Sequence, residues 1–288
     1  MRDLNYQLKG ICNHNRDGSF STQAARWRNL DLMANQLHEL GFRNLKPTGL
    51  KPKHITSLVA EWKKQDIATG TIKNRMSHLR WWAEKVGKPD IIPKRNSALN
   101  IPKRSFVTNK SKATSLSPNV LEKVKNPYVK LSLELQAAFG LRREEAIKFV
   151  PSFADKGNSI ILKSSWCKGG RQREIPISND YQRDVLERGH KLAGRGSLIP
   201  AKLSYVQQLK IYEKACADVG LSKMHGLRHA YAQARYEELT GWKAPSLGGL
   251  TSSQLTVEQK QLDKEVRLLI SEELGHGREQ VTAIYLGR

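Results

Sequence analysis

Apolar residues recur at helical spacing through the first hundred positions of the chain. One apolar stripe, over residues 21–40, predicts a helix that begins at a serine or threonine cap and stops at Gly41. Two further stripes predict a helix after Lys53 and another over residues 69–87. Residues 1–92 are therefore predicted to form a small helical domain.

The helical pattern breaks after residue 87, where prolines and basic residues dominate. The prolines are Pro89, Pro93 and Pro102, and the basic residues up to position 112 are Lys88, Lys94, Arg95, Lys103, Arg104, Lys110 and Lys112. Asp90 is the one acid among them. Such a stretch is typical of an interdomain linker that follows a nucleic-acid backbone, which we assign to residues 93–115; an ordinary solvated loop is the alternative.

Residues 116–288 are predicted to form a second domain that is mainly α with a small antiparallel β-sheet. The segments Ser159–Leu162 and Arg173–Ile177 predict a hairpin with a glycine-rich, basic tip. Helices are predicted from Ser117, and around residues 128–139, 180–192, 205–219, 226–239 and 257–273. The segment Gly241–Ser253 is rich in glycine and serine and predicts a surface insertion.

The net charge of the chain indicates the class of partner. The chain has 49 Lys and Arg against 27 Asp and Glu, a formal net charge of +22, which favours a polyanion and above all nucleic acid. A ribosome-like binder, or a chain that is basic only for solubility, is the alternative. Three scattered cysteines without a CxxC pair argue against disulfides and zinc, and no apolar run is long enough for a membrane. We therefore expect a cytoplasmic protein.

Three short segments contain the residues that could take part in a reaction. They are Gly140-Leu141-Arg142-Arg143-Glu144-Glu145, His225-Gly226-Leu227-Arg228-His229, and Leu274-Gly275-His276, which precedes Tyr285 by nine positions. Arginine guanidinium groups bind phosphate oxygens in a bidentate manner, imidazoles transfer protons, and a phenol can attack phosphorus. This set of residues therefore suits cleavage of a phosphodiester through a covalent protein–DNA intermediate. Each segment alone is weak: Arg142 suits a surface ion pair, His276 a helix cap and Tyr285 a core aromatic.

The order and spacing of these segments resemble the catalytic boxes of the tyrosine recombinases, the phage-integrase family. The run from Lys168 to Ile177 is also similar to a Lys-Gly-x-x-Arg-x-x-Pro-hydrophobic run of that family. The resemblance implies that the catalytic residues are Arg142, Lys168, His225, Arg228, His276 and Tyr285, with Glu145 and His229 in support. It implies that Lys168 is the general acid, for which Lys163, Arg171 and Arg173 are competitors. We expect His229 to point elsewhere on its helix than His225 and Arg228.

The resemblance also implies a fold and a reaction cycle. A helical, SAM-like core-binding domain and an α+β catalytic domain would form a C-shaped clamp around duplex DNA. Tyr285 would form a 3′-phosphotyrosyl link that a 5′ hydroxyl later resolves, with no cofactor and no metal. The expected partners are double-stranded DNA at recombination sites and three further copies of the chain in a homotetramer. Accessory DNA-bending factors are expected as well. In the absence of DNA we expect a monomer or a weak oligomer. The setting would be integration or excision of a mobile element at a prokaryotic nucleoid.

Two other functions stay open at this point: a type IB topoisomerase-like enzyme that reseals the same strand, and a non-catalytic DNA-binding protein on the same scaffold. The residues expected to contact DNA are Lys73, Arg75, Arg80, Lys94, Arg95, Lys103, Arg104, Arg171 and Arg173, although a charged helix face is also typical of a solvated surface. The interval from Arg228 to His276 is longer than in the family pattern. The sequence also ends three residues after Tyr285, where many relatives continue into a further helix, so we expect a different control of assembly or a shortened chain.

Overall fold

The computed structural model describes residues 2–288 and divides into two compact units, Met1–Ser105 and Phe106–Arg288. The basic segment 93–115 is shared between them. Its later part belongs to the second unit, where the N–H of Thr114 donates to the carbonyl of Gly226 at 3.1 Å. The boundaries 1–92 and 116–288 stay a prediction.

The first unit is helical throughout. Its helices are α1 (Asp3–His14), α2 (Phe20–Glu39), α3 (Pro52–Lys64) and α4 (Thr69–Lys85), with short 3₁₀ turns at Pro47–Gly49, Pro89–Ile91 and Asn96–Leu99. Two buried tryptophans fill its core, and each indole N–H has a partner: Trp62 donates to Gln36 at 2.9 Å and Trp82 to the carbonyl of Pro47 at 3.2 Å. Three helices agree with the predicted stripes, whereas α1 lies outside them.

The second unit is mainly helical with one hairpin. Its elements are α5 (Pro118–Lys123), α6 (Pro127–Phe139), α7 (Arg143–Ile147), α8 (Pro151–Ala154), β1 (Ser159–Leu162), β2 (Arg173–Pro176), α9 (Asp180–Ala193), α10 (Tyr205–Asp218), α11 (His225–Thr240), α12 (Val257–Glu273) and α13 (Glu279–Leu286). This agrees with the predicted fold class. The extra residues between Arg228 and His276 form a loop with a 3₁₀ turn (Pro245–Leu247) and the 17-residue helix α12.

The hairpin joins β1 and β2 antiparallel, with Ser159 opposite Pro176 and Leu162 opposite Arg173. Because side chains alternate between the faces of a strand, Arg173 and Ile175 are buried while Glu174 is exposed. The hairpin therefore directs an arginine into the protein and leaves the turn before it, residues 168–172, on the surface.

The prediction of a surface insertion at Gly241–Ser253 is wrong for its middle part. Ala244, Pro245 and Ser246 are buried, and the 3₁₀ turn packs against α13. Composition suggested a solvated loop because glycine and serine favour turns, but the polar atoms of these residues are satisfied inside the protein. In residues 2–288, no helix has the length and apolar character needed to cross a membrane.

Candidate active site

An internal frame of charges lies beneath the site, centred on the fully buried carboxylate of Glu145. Arg142 is the N-cap residue of α7; its N–H donates to Glu145 Oε2 at 2.7 Å and its Nη1 to Oε1 at 2.7 Å. Arg173 donates from Nη1 and Nη2 to the same two oxygens, at 2.9 and 2.6 Å. One carboxylate therefore orients two guanidinium groups.

Burial acts to raise the pKa of Glu145, but the hydrogen bonds and positive charges of Arg173 and Arg142 outweigh it and lower that pKa to about 2. Glu145 is ionised at neutral pH. The side chain of Arg142 is 20% exposed and that of Arg173 is 5% exposed, so Arg142 is the more accessible of the two guanidinium groups.

Gly140 makes the turn that brings Arg142 into the site. It ends α6 with φ of 60°, in the left-handed region. A Cβ at this position would lie 2.5 Å from Cδ1 of Tyr231, so both the backbone conformation and the close approach of the ring require glycine.

Helix α11 carries His225 and Arg228 on one face, because it begins at His225. Arg228 is 1% exposed, and its guanidinium donates to the carbonyls of Gly140, at 2.6 Å, and Leu274. Its Nε lies 3.3 Å from the hydroxyl of Tyr285. Burial, followed by the charges of Arg142 and Arg173, lowers the pKa of Arg228 to about 10, although the Tyr285 hydroxyl opposes this; Arg228 is still charged at neutral pH.

The turn after α12 presents His276. Gly275 adopts φ of 64°, and Ser271 fixes the turn by donating from its hydroxyl to the carbonyls of His276 and Arg278. The carbonyl of Leu274 in this turn accepts from both Arg142, at 3.3 Å, and Arg228. The turn therefore links the two arginines to the imidazole.

Tyr285 lies in the last turn of α13 and is 5% exposed. Its hydroxyl lies 3.2 Å from Nε2 of His276 and 3.4 Å from Nε2 of His225. With Arg228 at 3.3 Å, three side chains from separate segments converge on the phenol oxygen.

The imidazoles around Tyr285 are neutral at neutral pH. Burial, then the charges of Arg228 and Arg142, lowers the pKa of His276 to about 3, and the same causes lower the pKa of His225. Burial and then His225 lower the pKa of His229 to about 4. Neutral imidazoles can accept a proton, and their low pKa values reflect the positive field of the arginines.

His229 departs from its predicted orientation. Its ring lies 4.5 Å from the ring of Tyr285 between centroids, and 5.7 Å from that of His225. The prediction that it points away from these residues is wrong, because positions 225 and 229 are i, i+4 neighbours and share a helix face. His229 packs against the ring that carries the phenol.

Lys168 is the one predicted catalytic residue that lies apart from this group. It is exposed in the turn between β1 and β2. Its competitor Lys163 has its ammonium 4.0 Å from the ring centroid of Phe153. Arg171 is exposed, and its guanidinium lies against Gly277, next to His276.

The residues predicted to contact DNA fall into two groups. The first group lies on the surface: Lys73 is half-buried, and the exposed members are Lys94, Arg95, Lys103, Arg104 and Arg171. Arg75 instead lies with its guanidinium 5.3 Å from the ring of Trp62, and Arg80 donates to the carbonyl of Pro93 and to Asn96. The prediction that Arg173 contacts DNA is wrong, because its buried guanidinium is directed to Glu145, Cys167 and the carbonyl of Glu273.

Sequence reasoning missed Gln233 and Ser246, which both donate to the backbone carbonyl of Tyr285. No local motif marks either residue. The one available signal was the length of the Arg228–His276 interval, which supplies the turn that contains Ser246.

Two family profiles match the chain. The phage integrase N-terminal profile (Phage_int_SAM_2) covers residues 1–92, and the integrase profile (Integrase_1) covers residues 104–234, so together they span more than half of the sequence. The chain belongs to the phage-integrase family of tyrosine recombinases, and its function is site-specific DNA recombination. The second match ends before His276 and Tyr285, and no curated protein matches the sequence significantly.

Solved structures share the fold at low sequence identity. A lambda integrase dimer bound to a COC′ core site is 16% identical with a TM-score of 0.61, over 98% of this chain and 78% of that one. The site-specific recombinase XerH bound to difH is 16% identical with a TM-score of 0.57, over 98% and 80%. The Tn1549 transposon integrase (aa 82–397) with circular intermediate DNA is 13% identical with a TM-score of 0.56, over 100% and 96%. None of these matches supports the topoisomerase-like or non-catalytic alternatives.

Proposed function

We propose that this chain cleaves and rejoins DNA strands at specific sites through a 3′-phosphotyrosyl link on Tyr285, during integration or excision of a mobile element. The observation that carries the proposal is the convergence of Arg228, His225 and His276 on the Tyr285 hydroxyl, at 3.2–3.4 Å. A phenol is a poor nucleophile until a base and cations assist it, and this arrangement supplies both.

The cleavage step transfers one phosphoryl group and two protons. The phenol oxygen of Tyr285 attacks phosphorus while the bond from phosphorus to the 5′ oxygen breaks. The phenol proton passes to the neutral Nε2 of His276, and Lys168 gives a proton to the departing 5′ oxygen. Attack by a 5′ hydroxyl from a partner strand then reverses these transfers and frees the tyrosine. The phosphodiester energy is kept in the link, so the cycle consumes no nucleotide.

Electrostatic stabilisation of the five-coordinate phosphorus is the part we assign to Arg142 and Arg228. Both guanidinium groups are fixed in advance, the first by Glu145 and the second by the carbonyls of Gly140 and Leu274. Charges that are oriented before the reaction stabilise the transition state without reorganisation during it. His225 completes the set by hydrogen bonding at the phosphate.

The partners we propose are duplex DNA at paired recombination sites and further copies of the chain. Lambda integrase has been solved both as a dimer on a core site and as a tetramer on a Holliday junction, which supports a homotetramer on paired sites here. The surface lysines and arginines named above would contact phosphates, which makes binding salt-dependent. Accessory DNA-bending factors and action at a prokaryotic nucleoid complete the proposal.

Covalent trapping tests this function. Protein is incubated with supercoiled DNA and nicked duplexes from the locus that encodes it, denatured, and examined for DNA-linked protein beside a Tyr285→Phe variant. We expect a 3′ adduct that the variant lacks although it still binds DNA, and sequencing of the adduct ends would give the target site. Tight binding of cognate DNA without any adduct would contradict the proposal.

A further inference from the structure

Two buried side chains hold the main chain at the nucleophile. Gln233 Nε2 donates to the carbonyl of Tyr285 at 2.9 Å, and the hydroxyl of Ser246 donates to the same carbonyl at 3.2 Å. Gln233 also donates to the Ser246 oxygen at 3.1 Å. The directions agree, because a serine hydroxyl accepts one hydrogen bond while it donates another. The two residues are only 2% and 7% exposed.

The orientation of the Gln233 amide is itself fixed. Its Oε1 accepts from the hydroxyl of Ser111 at 3.0 Å, which leaves Nε2 directed toward Tyr285. A chain of hydrogen bonds therefore runs from Ser111 through Gln233 and Ser246 to the carbonyl of Tyr285. Each donor and acceptor along this chain has a partner, which is the condition under which a buried polar network rigidifies its surroundings.

Ser246 belongs to a compact turn that the longer Arg228–His276 interval supplies. The N–H groups of Leu247 and Gly249 both donate to the carbonyl of Ala244, at 2.8 and 3.1 Å. A Cβ at Gly249 would lie 1.7 Å from the carbonyl oxygen of Lys243, so the turn closes only with glycine there. The turn is therefore a fixed support for Ser246.

The chain is held a second time two residues after the nucleophile. Arg267 Nη1 donates to the carbonyl of Gly287 at 2.9 Å, and its Nε pairs with Asp263 at 2.8 Å. Asp263 also accepts from the hydroxyl of Tyr236 at 2.5 Å. Both carbonyls, at 285 and at 287, are thus fixed by residues of the same chain.

Fixing this backbone determines the position of the phenol oxygen. Two side-chain torsions separate the backbone of Tyr285 from its hydroxyl, and the ring of His229 packs against the phenol ring at 4.5 Å. We infer that Ser246, supported by Gln233, is a positioning residue that holds Tyr285 toward Arg228 and His276 before DNA binds. This inference rests on the proposed function, since it assigns a role in the chemistry of Tyr285.

The test compares Ser246→Ala with Ser252→Ala, a control in the same loop whose side chain is exposed. Single-turnover adduct formation on a nicked duplex gives a rate constant, an amplitude and a half-saturating DNA concentration. We expect Ser246→Ala to lower the rate constant about ten- to a hundred-fold, because small displacements of reacting atoms have effects of that order. Its amplitude and half-saturating concentration should equal those of Ser252→Ala, and Ser246→Thr, which keeps the hydroxyl, should recover part of the rate.

The outcomes separate the two proposals. Absence of any Tyr285 adduct with the unmodified protein would count against the proposed function itself. If that adduct forms, a Ser246→Ala rate constant equal to the control would overturn the inference. A lower amplitude with an unchanged rate constant would also overturn it, because loss of folded protein reduces only the active fraction. Should the alanine variant not fold, Ser246→Cys retains the volume with a weak donor, and an unchanged rate constant there would have the same meaning.

Discussion

Nη2 of Arg228 lies 3.2 Å from Nε2 of His276. Because a guanidinium has donors but no acceptor, this contact requires His276 Nε2 to be the unprotonated nitrogen of a neutral imidazole. The Tyr285 hydroxyl lies 3.2 Å from the same nitrogen, whose single lone pair accepts either the guanidinium N–H or, once that hydrogen bond is released, the phenol proton. The arginine that would bind phosphate therefore also fixes the tautomer of the base, and its charge, second to burial, lowers the pKa of that base to about 3.

Stability should fall as the pH is lowered from 7 toward 4. The unfolded chain protonates its histidines near pH 6.5, whereas the folded chain keeps His276 neutral down to about 3 and His229 down to about 4. Between those limits the unfolded state binds more protons, so acid favours unfolding. Thermal unfolding between pH 7 and pH 4.5 measures this slope. In His229→Gln and His276→Gln the stability should fall less steeply with decreasing pH than in the unmodified protein. An equal pH dependence would contradict the low pKa values of these two histidines.

Arg142→Lys should slow cleavage about a hundred- to a thousand-fold, while Arg143→Lys should leave it nearly unchanged. A lysine cannot reproduce the fork that spans Glu145 and the carbonyl of Leu274. Arg143 instead pairs with Glu213 at 2.9 Å on the surface, with its side chain 46% exposed. The single-turnover rate constant of cleavage at saturating DNA, measured for both variants, shows which of the two arginines contacts the phosphate. A larger loss for Arg143→Lys would move the phosphate contact to that residue.

Helix limits could be predicted because their signals are local, whereas the candidate site residues were identified by the order and spacing of motifs along the chain. The helix Val257–Glu273 has the predicted bounds, with Thr256 as a cap that accepts from Gln259. The network around Tyr285 could not be predicted, since Ser246 reaches that residue across 39 positions from a segment whose composition indicates a surface loop. Arg173 was assigned to DNA because its partner Glu145 lies 28 positions away. Sequence spacing identifies side chains that could react, but it does not show which charged side chains pair with each other inside the fold.

Glu145→Gln should lower the free energy of unfolding by about 3 kcal/mol, because it leaves two guanidinium groups without their carboxylate in a buried site. Denaturant unfolding measures the change. Glu144→Gln is the matched control: its carboxylate pairs with Lys148 at the surface and is 50% exposed, so we expect a loss of about 0.5 kcal/mol or less. Similar losses in both variants would show that the frame around Glu145 does not stabilise the fold.

Lys168→Ala should slow cleavage of ordinary DNA about a hundred- to ten-thousand-fold if Lys168 protonates the leaving oxygen. A substrate with sulfur at the bridging 5′ position should restore the rate, because a thiol has a pKa near 8.5 and leaves as the anion without a proton. Lys168 lies in an exposed turn, so its ammonium is accessible to bound DNA.

Lys163→Ala is the control for this prediction, since its ammonium lies over the ring of Phe153 rather than at the surface of the turn. Its cleavage rate should show no selective recovery on the sulfur substrate. Recovery with Lys163→Ala and not with Lys168→Ala would transfer the general acid to Lys163. If neither variant responds to sulfur, the proton comes from another group, and exposed Arg171 beside Gly277 becomes the next residue to replace.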